Sequence, residues 1–165
     1  MTEATVDPNL YRAAAAAVIF NPRGSVWLGR RASETRPNIW QYPQGGIDEN
    51  EKPLTAAIRE IEEETGIDST LLKSIGHINA PLFYDLPVQY KTTARTKKWQ
   101  GQKQYWFAFE FMGNDADVNL ENQNPPEFST WKWGDIHDAV NTVIDFKRDI
   151  YARVAKEFEP FAKRI

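Results

Sequence analysis

The chain of 165 residues contains no cysteine and only two histidines. Without cysteine it can form neither disulfide bonds nor thiolate metal sites, which excludes a disulfide-linked partner and fits a reducing compartment. His77 and His137 have no partners at the spacing of a metal site or a catalytic triad, so we expect both to be structural or exposed. The formal net charge is only −3, and bulk charge therefore gives no indication of nonspecific nucleic-acid binding.

Long hydrophobic runs are also missing. The apolar run at residues 13–20 is too short to span a membrane, and the N-terminus is acidic and polar where a signal peptide is basic. We therefore expect a soluble cytoplasmic protein that does not contact a membrane. Its length fits one domain with a real core, which we place at residues 11–165, after a flexible N-terminus at residues 1–10. The oligomeric state stays open.

Apolar patterning and turn signals predict strands before and after a central helix. The predicted strands are residues 13–20, 25–29, 72–82, 104–111 and 129–133. The first two should form a hairpin, although the five consecutive alanines of the first favour a helix equally. Asp135 suits the cap of a short helix, and residues 143–163 have helical spacing. This order of elements indicates an α/β sandwich.

Residues 45–67 are the most informative stretch of the chain. Pro53 suits the first position of a helix, where its missing N–H needs no partner, and Gly66 suits the position just after the last turn. At about 100° per residue, one face of this helix is apolar and would be covered by a core: Leu54, Ala57, Ile58 and Ile61. A neighbouring face carries three like charges: Glu60, Glu63 and Glu64. Like charges packed in this way destabilise a helix, so we expect a cation against them.

A charged helix face is in most proteins simply solvated. Here, however, the glutamates come with an arginine at one position, a glycine pair before the helix and a glycine after it. Together these residues resemble, position for position, the motif of the Nudix hydrolases. The matching positions are Gly45, Glu51, Arg59, Glu60, Ile61, Glu63, Glu64, Gly66 and Ile67. The resemblance implies the Nudix fold, an α/β/α sandwich with a central mixed sheet.

The resemblance also implies a magnesium-dependent cleavage of a phosphoanhydride, with Mn2+ or another divalent cation as a substitute. A metal ion neutralises the anionic groups on either side of this bond, and magnesium prefers oxygen ligands. In the family, the residues equivalent to Glu60, Glu64 and Glu63 bind the metals, and one of them can also act as the base. The backbone at Gly45 is expected to pass close to the metals, where a side chain would obstruct.

Segments outside the motif narrow the resemblance to one branch of the family. That branch contains bacterial RNA 5′-pyrophosphohydrolases and diadenosine tetraphosphate hydrolases, which implies a nucleotide or an RNA 5′ end as the substrate. The likeness runs from about Tyr11 to Phe158. Its most specific segments are Trp-Gln-Tyr-Pro-Gln-Gly-Gly at residues 40–46 and Gly-Gln-Lys-Gln at residues 101–104.

The positions of two further charged groups are implied by the resemblance alone. Arg59 is expected to pair with Glu51 and so to fix the loop to the helix. Glu127 is expected to lie near the metals as a fourth carboxylate ligand, which makes it a competing candidate for the base.

Two cations outside the helix, Arg30 and Lys103, are predicted to bind phosphates that the metals do not reach. Lys103 ends a basic stretch, residues 91–103, that has five cations and no acidic residue. This stretch suits a short single-stranded RNA end, although such a stretch alone is usually a solvated loop.

Four more residues are predicted to line the nucleotide pocket: Arg12, Tyr84, Phe146 and Lys147. A flat aromatic ring with cations is a common way to hold a base and its backbone. Phe146 begins an amphipathic helix, where a phenylalanine is more often part of a core, and Tyr84 either stacks on a base or simply packs. Most of four tryptophan side chains are expected to lie in the core or on the sheet faces: Trp99, Trp106, Trp131 and Trp133.

Three functions follow as hypotheses. The first is release of pyrophosphate from 5′-triphosphorylated RNA, or asymmetric cleavage of diadenosine tetraphosphate to ATP and AMP, two reactions that the sequence barely separates. The second is hydrolysis of ADP-ribose or a nucleotide sugar, a branch that the segments outside the motif do not resemble. The third is a binding protein that has kept the fold and lost catalysis. Such proteins usually lack a glutamate of the motif, and here none is missing.

Overall fold

The computed structural model of the protein describes residues 6–162, which contain one seven-stranded sheet. In chain order the strands are β1 (Tyr11–Phe20), β2 (Val26–Arg31), β3 (Gln44–Gly46), β4 (Leu72–His77), β5 (Leu82–Asp85), β6 (Gly101–Phe111) and β7 (Phe128–Gly134). The helices are α1 (Pro53–Thr65), α2 (Ala94–Lys98), α3 (Ile136–Thr142) and α4 (Arg148–Ala162). Within this part of the chain no helix has the length and apolarity needed to cross a bilayer.

The sheet is mixed because its two central strands run parallel. β1 and β6 pair over the whole of β1, from Tyr11 opposite Gly101 to Phe20 opposite Glu110. β2 and β3 pair antiparallel with the other edge of β1, and β4 and β5 pair antiparallel with the other edge of β6. β7 extends the sheet beyond β2. The predicted mixed sheet and the predicted hairpin of β1 and β2 are both confirmed.

β1 is a strand despite its five alanines because both of its faces are covered. Ala15 and Ala17 face a cluster that includes Ile61 of α1. Ala16 faces the opposite cluster, which includes Tyr151 of α4. Small side chains let helices pack close on both sides of the strand, and this burial outweighs the helix propensity of alanine. The layers are therefore helix, sheet and helix, as predicted.

Two predicted boundaries are wrong. Residues 72–82 form two strands rather than one, since β4 and β5 pair with different parts of β6. The last helix begins at Arg148 rather than at residue 143, because the extended backbone of Ile144 precedes a 3-10 turn, Asp145–Lys147.

The predicted termini lie partly outside the described residues. This holds for residues 1–5 of the predicted flexible segment and for residue 163, the predicted end of the last helix. Of the segment 1–10, Pro8–Leu10 form a single 3-10 turn that leads directly into β1.

Candidate active site

Helix α1 begins and ends where its sequence predicts. Pro53 is the first helical residue, and Gly66 ends the helix in the left-handed region at φ 75°. The Gly66 N–H donates to the carbonyl of Glu62 at 3.0 Å. The N-cap residue, Lys52, makes no side-chain capping bond, as expected of a residue without a short polar side chain. These ends determine where the glutamates between them stand around the helix.

The buried face of α1 is turned toward the glutamates, compared with the face that the sequence predicts to be buried. Leu54, predicted to be covered, is 38% exposed, and Ala56 packs in the core beside Ile61 instead. Glu60 and Glu64 follow one turn apart on this same side. Glu64 is only 5% exposed and the side chain of Glu60 only 12%. Two of the three glutamates therefore lie in the interior.

Arg59 is the cation that the glutamates require. Its guanidinium donates to Glu60 at 2.9 Å and to Glu63 at 3.3 Å. It holds Glu51 through two more bonds of 2.8 and 2.9 Å, and it donates to the carbonyl of Gly46 at 2.9 Å. The hydrogen bonds from Arg59 lower the pKa of Glu51 to about 2. Arg59 thus ties the loop before α1 to the glutamate face through the pairing with Glu51 that the motif predicts.

The carboxyl groups of Glu60 and Glu64 are neighbours, and each affects the ionisation of the other. Burial raises the pKa of both carboxyl groups, and the charges of Glu60 and Glu127 raise the pKa of Glu64 further. The backbone N–H of Gln44, which donates to Glu64 at 3.3 Å, opposes this shift. Two buried carboxyl groups in contact keep a proton between them unless a cation neutralises them. The pair therefore favours a bound cation.

Strand β3 brings the backbone of Gly45 directly against this pair. A Cβ atom at Gly45 would lie 2.1 Å from the carboxyl carbon of Glu60, so a side chain there would take the place of the carboxylate. The backbone of Gly45 thus approaches the Glu60 carboxylate closely; its predicted approach to a metal stays a prediction.

In residues 6–162, no three His, Cys, Asp or Glu side chains are grouped so that they could hold a metal ion. Glu63, predicted as the third ligand on the helix, is 40% exposed and lies against Arg59. The residues that fit an ion are Glu60 and Glu64, beside the Gly45 backbone. Two carboxylates with the remaining positions left to water are a common way to hold a hard divalent cation such as magnesium.

A cavity of about 570 Å³ opens beside the glutamate pair. Gln44 joins the two, since it lines the cavity while its backbone N–H donates to Glu64. Five cations line the cavity: Arg12, Arg31, Arg36, Arg95 and Lys147. One carboxylate is also in the lining, Glu34, and its oxygens accept hydrogen bonds from Arg36 at 2.9 and 3.2 Å. The remaining cations make the cavity suited to a polyanion.

One wall of the cavity is a cluster of three aromatic rings. The centre of the Phe146 ring lies 5.5 Å from that of Tyr84 and 5.0 Å from that of Tyr90. Phe146 also packs against the core behind it. The two predictions for Phe146, a core residue and a pocket residue, are therefore compatible, because the ring packs against the core and also lines the cavity.

Lys147 is 6% exposed and connects the cavity to the glutamates. Burial, with the charge of Arg31, lowers its pKa to about 8, while the charges of Glu64 and Glu127 act in the opposite direction. The Lys147 ammonium also lies 5.8 Å from the centre of the Tyr84 ring. Glu127 in turn lies 3.4 Å from the guanidinium of Arg31. Lys147 and Arg31 thus bring positive charge close to Glu64 and Glu127.

Four of the six predicted substrate residues line the cavity: Arg12, Tyr84, Phe146 and Lys147. Arg30 and Lys103 do not. Arg30 donates instead to the carbonyl of Glu34 at 3.2 Å, and a bulge after it brings the next residue, Arg31, into the lining. Lys103 follows Gln102 in β6; because neighbouring strand residues face opposite sides of a sheet and Gln102 lines the cavity, Lys103 belongs to the other side.

The sequence reasoning missed Arg31, Arg95 and Trp99. Arg95 belongs to the basic stretch 91–103, so its charge was evident from the sequence. Its position in the lining of the cavity was not. Trp99, expected in the core, is half-buried and lines the cavity, whereas Trp106 is buried as expected. His77 and His137 are exposed, as predicted, and the imidazole of His137 lies 3.6 Å from Glu159.

Comparison with known proteins identifies a matching domain family and relatives that share one named activity. The NUDIX domain matches residues 10–154. An RNA pyrophosphohydrolase of Caulobacter vibrioides is 39% identical over 99% of this chain and 93% of its own length. An RNA pyrophosphohydrolase of Rhodospirillum rubrum is 43% identical over 92% of this chain and 89% of its own length.

A solved structure shares the architecture. The crystal structure of an Ap4A hydrolase of C. elegans superposes with a TM-score of 0.60, at 20% identity, over 89% of this chain and 98% of that protein. At this level of identity the likeness concerns the fold, the mixed sheet with helices on both faces.

Proposed function

The chain belongs to the Nudix family of hydrolases, and we propose that it releases pyrophosphate from the 5′-triphosphate end of RNA. The observation that carries this proposal is the pair of the buried Glu64 and the largely covered Glu60 next to a cavity lined by cations and aromatic rings. The pair suits a metal at a phosphoanhydride, and the cavity suits the polyphosphate and the base attached to it. The names of the two bacterial relatives support the choice of RNA.

We assign the metal position to Glu60 and Glu64 beside the Gly45 backbone. Magnesium held there would neutralise the anhydride oxygens and lower the pKa of a bound water, and Mn2+ or another divalent cation could substitute. Arg59 fixes the direction of Glu60 by hydrogen bonding and so positions this ligand before substrate arrives.

The cations of the cavity bind the phosphates in this proposal. Lys147 is close enough to Glu64 and Glu127 for their charges to act on it, and Arg31 lies 3.4 Å from Glu127. The guanidinium of Arg12 packs against Gly46. Three cations around the triphosphate stabilise the charge that builds on the leaving pyrophosphate. Tyr84 and Phe146 then hold the base of a nucleotide.

Hydrolysis needs one proton acceptor. Water adds to phosphorus, the bond between the α- and β-phosphates breaks, and the products are pyrophosphate and RNA with a 5′-monophosphate. The proton lost by the water passes to a carboxylate. Glu63 and Glu127 are the candidates, because both reach solvent, at 40% and 36% exposure of the side chain, and so can pass the proton on.

Cleavage of diadenosine tetraphosphate to ATP and AMP is the second candidate. It is favoured by the presence of two aromatic groups at different walls of the cavity, Trp99 and the cluster around Phe146. The two bases of diadenosine tetraphosphate could stack on these two aromatic groups at the same time.

Turnover by the purified chain on the two substrates tests both candidates. We expect magnesium-dependent release of pyrophosphate from triphosphorylated RNA, with a higher kcat/KM than for diadenosine tetraphosphate. A preference for the dinucleotide would favour the second candidate, and negligible rates on both would overturn the proposal. Because 5′-triphosphate ends arise during bacterial transcription, we also propose that the enzyme acts in the cytoplasm.

A further inference from the structure

A second depression lies against the outer side of the cavity, between α2 and the start of β1. This depression, the α2 groove, has a volume of about 650 Å³ and is lined by Arg12, Arg95, Lys98 and Trp99 over the apolar side chain of Ile47. Arg12, Arg95 and Trp99 also line the cavity. The groove and the cavity therefore adjoin each other at these three residues, and a chain bound in the cavity ends close to the groove.

The cations of the α2 groove make no ion pair within the part of the chain that the structure describes. Arg12, Arg95 and Lys98 form no ion pair with a carboxylate of residues 6–162, whereas Arg31 and Arg36 in the cavity do. Burial and the nearby charge of Arg95 lower the pKa of the Arg12 guanidinium. The charges of Glu60 and Asp48 act on Arg12 in the opposite direction, whereas Arg95 and Lys98 have no ion-pair partner among the described residues. Neighbouring cations of this kind favour an anion between them, and phosphates of a nucleic-acid strand supply such anions at regular spacing.

The groove is held in place by hydrogen bonds at both ends of α2. At the start, Thr93 and Thr96 form a capping box. At the end, the N–H of Gln100 donates to the carbonyl of Leu10 at 2.8 Å, and its side chain donates to the hydroxyl of Tyr11 at 2.8 Å. Trp99, directly before Gln100, is thus presented by a fixed backbone, which is what a stacking surface for a base needs.

We propose that the α2 groove binds RNA nucleotides downstream of those in the cavity, with Arg95 and Lys98 on their phosphates and Trp99 stacked on a base. This inference rests on the proposed function, since it assumes that an RNA 5′ end occupies the cavity. A dinucleoside polyphosphate has no chain beyond its second nucleoside. The groove would therefore increase kcat/KM for RNA but not for a dinucleoside polyphosphate.

The first test compares 5′-triphosphorylated RNAs of two and eight nucleotides as substrates of the full chain. We expect a higher kcat/KM for the longer RNA. In Lys98→Glu the ratio of kcat/KM for the longer RNA to that for the shorter RNA should fall by about three- to tenfold. For the longer RNA, the slope of log kcat/KM against log salt concentration should become less steep by about 0.7. The matched control is Lys156→Glu, an exposed lysine of α4 outside both linings, which should leave the ratio unchanged.

The second test does not depend on catalysis. Fluorescence anisotropy measures binding of an eight-nucleotide RNA with a 5′-hydroxyl, labelled at its 3′ end, to the wild type, Lys98→Glu and Lys156→Glu. If Lys98→Glu alone weakens binding while no pyrophosphate is released from RNA, the groove is supported and the proposed function fails. If pyrophosphate is released but both RNA lengths react equally and Lys98→Glu binds like the wild type, the groove proposal is overturned and the proposed function stands.

Discussion

The carboxylate of Glu60 lies where a side chain on Gly45 would begin. A Cβ atom at Gly45 would come within 2.1 Å of the carboxyl carbon and 2.3 Å of both carboxyl oxygens. The glycine is therefore required by the position of a glutamate on another element, and not by its own backbone dihedral angles. Strand β3 and helix α1 meet at this contact, and the candidate metal position is beside it.

Gly45→Ala should abolish most of the activity while leaving the fold intact. The added methyl group must push the Glu60 carboxylate aside, and misplacement of a catalytic group by about 1 Å can cost a hundredfold in rate. The measurement is kcat on triphosphorylated RNA together with thermal unfolding. Gly76→Ala is the matched control, because its Cβ would press on the ring of Phe161 at 2.7 Å, at a glycine that lines neither the cavity nor the groove. Full activity of Gly45→Ala would contradict the assigned metal position.

Glu64→Gln should lose magnesium-dependent turnover by about a hundredfold or more and yet stabilise the metal-free chain. Burial and the neighbouring glutamates raise the pKa of Glu64, so its charged form is favoured in the unfolded chain. This cost to folding is absent below the ordinary pKa and grows as pH rises above it. Glutamine removes the cost.

The stability of Glu64→Gln is measured as Tm in a buffer with a chelator, at pH 5 and at pH 8. We expect a gain that is larger at pH 8. The control is Glu62→Gln, which changes an exposed glutamate of the same helix and should alter neither turnover nor Tm. Turnover that survives in Glu64→Gln would exclude Glu64 as a ligand.

Lys147→Met should weaken substrate binding and remove its pH dependence near pH 8. Burial lowers the pKa of Lys147 to about 8, so the wild type loses this positive charge as pH rises through 8. The wild-type KM for triphosphorylated RNA should therefore increase between pH 7 and 9. In Lys147→Met, KM should be about tenfold higher at pH 7, as expected for one lost charge-assisted contact, and should change less with pH. An equal pH profile in both proteins would exclude Lys147 as the titrating group.

Glu51→Gln should destabilise the protein near neutral pH and clearly less in acid. Arg59 lowers the pKa of Glu51 from 4.5 to about 2. A depressed pKa contributes stability above the ordinary value, and that contribution disappears as pH falls toward 2. Urea unfolding of the variant and of the wild type at pH 6.5 and pH 3 measures the difference. A difference of equal size at both values of pH would show that the lost contribution is not the charge of Glu51.

Much of the helix and its charged contacts was predictable because these features are local. Pro53 and Gly66 mark the ends of α1, and the pairing of Arg59 with Glu51 follows from the motif. The strands around the helix were predictable in kind from their apolar patterns. Their boundaries were not, since the break between β4 and β5 depends on how both pair with β6, a strand distant in sequence.

The substrate cavity was less predictable because its lining comes from several distant segments. The sequence pointed to Arg30, but a bulge in the pairing of β2 with β7 brings Arg31 to the cavity instead. It pointed to Lys103, and the alternation of β6 puts Gln102 in the lining in its place. A displacement of one residue in a strand changes the face of the sheet on which a side chain lies. Single-residue assignments on strands therefore need the observed register.

The sequence by itself determined that this chain has a motif helix with Glu60, Glu63 and Glu64 at fixed spacing, since helical geometry follows from local residues. Only the tertiary structure decided how these glutamates differ. Packing against the sheet and β3 buries Glu64 and covers most of Glu60 beside Gly45, while Glu63 stays half-exposed against Arg59. The spacing of residues along a helix says which side chains are neighbours, whereas burial, which sets their charge and their affinity for a cation, depends on what the rest of the chain brings against them.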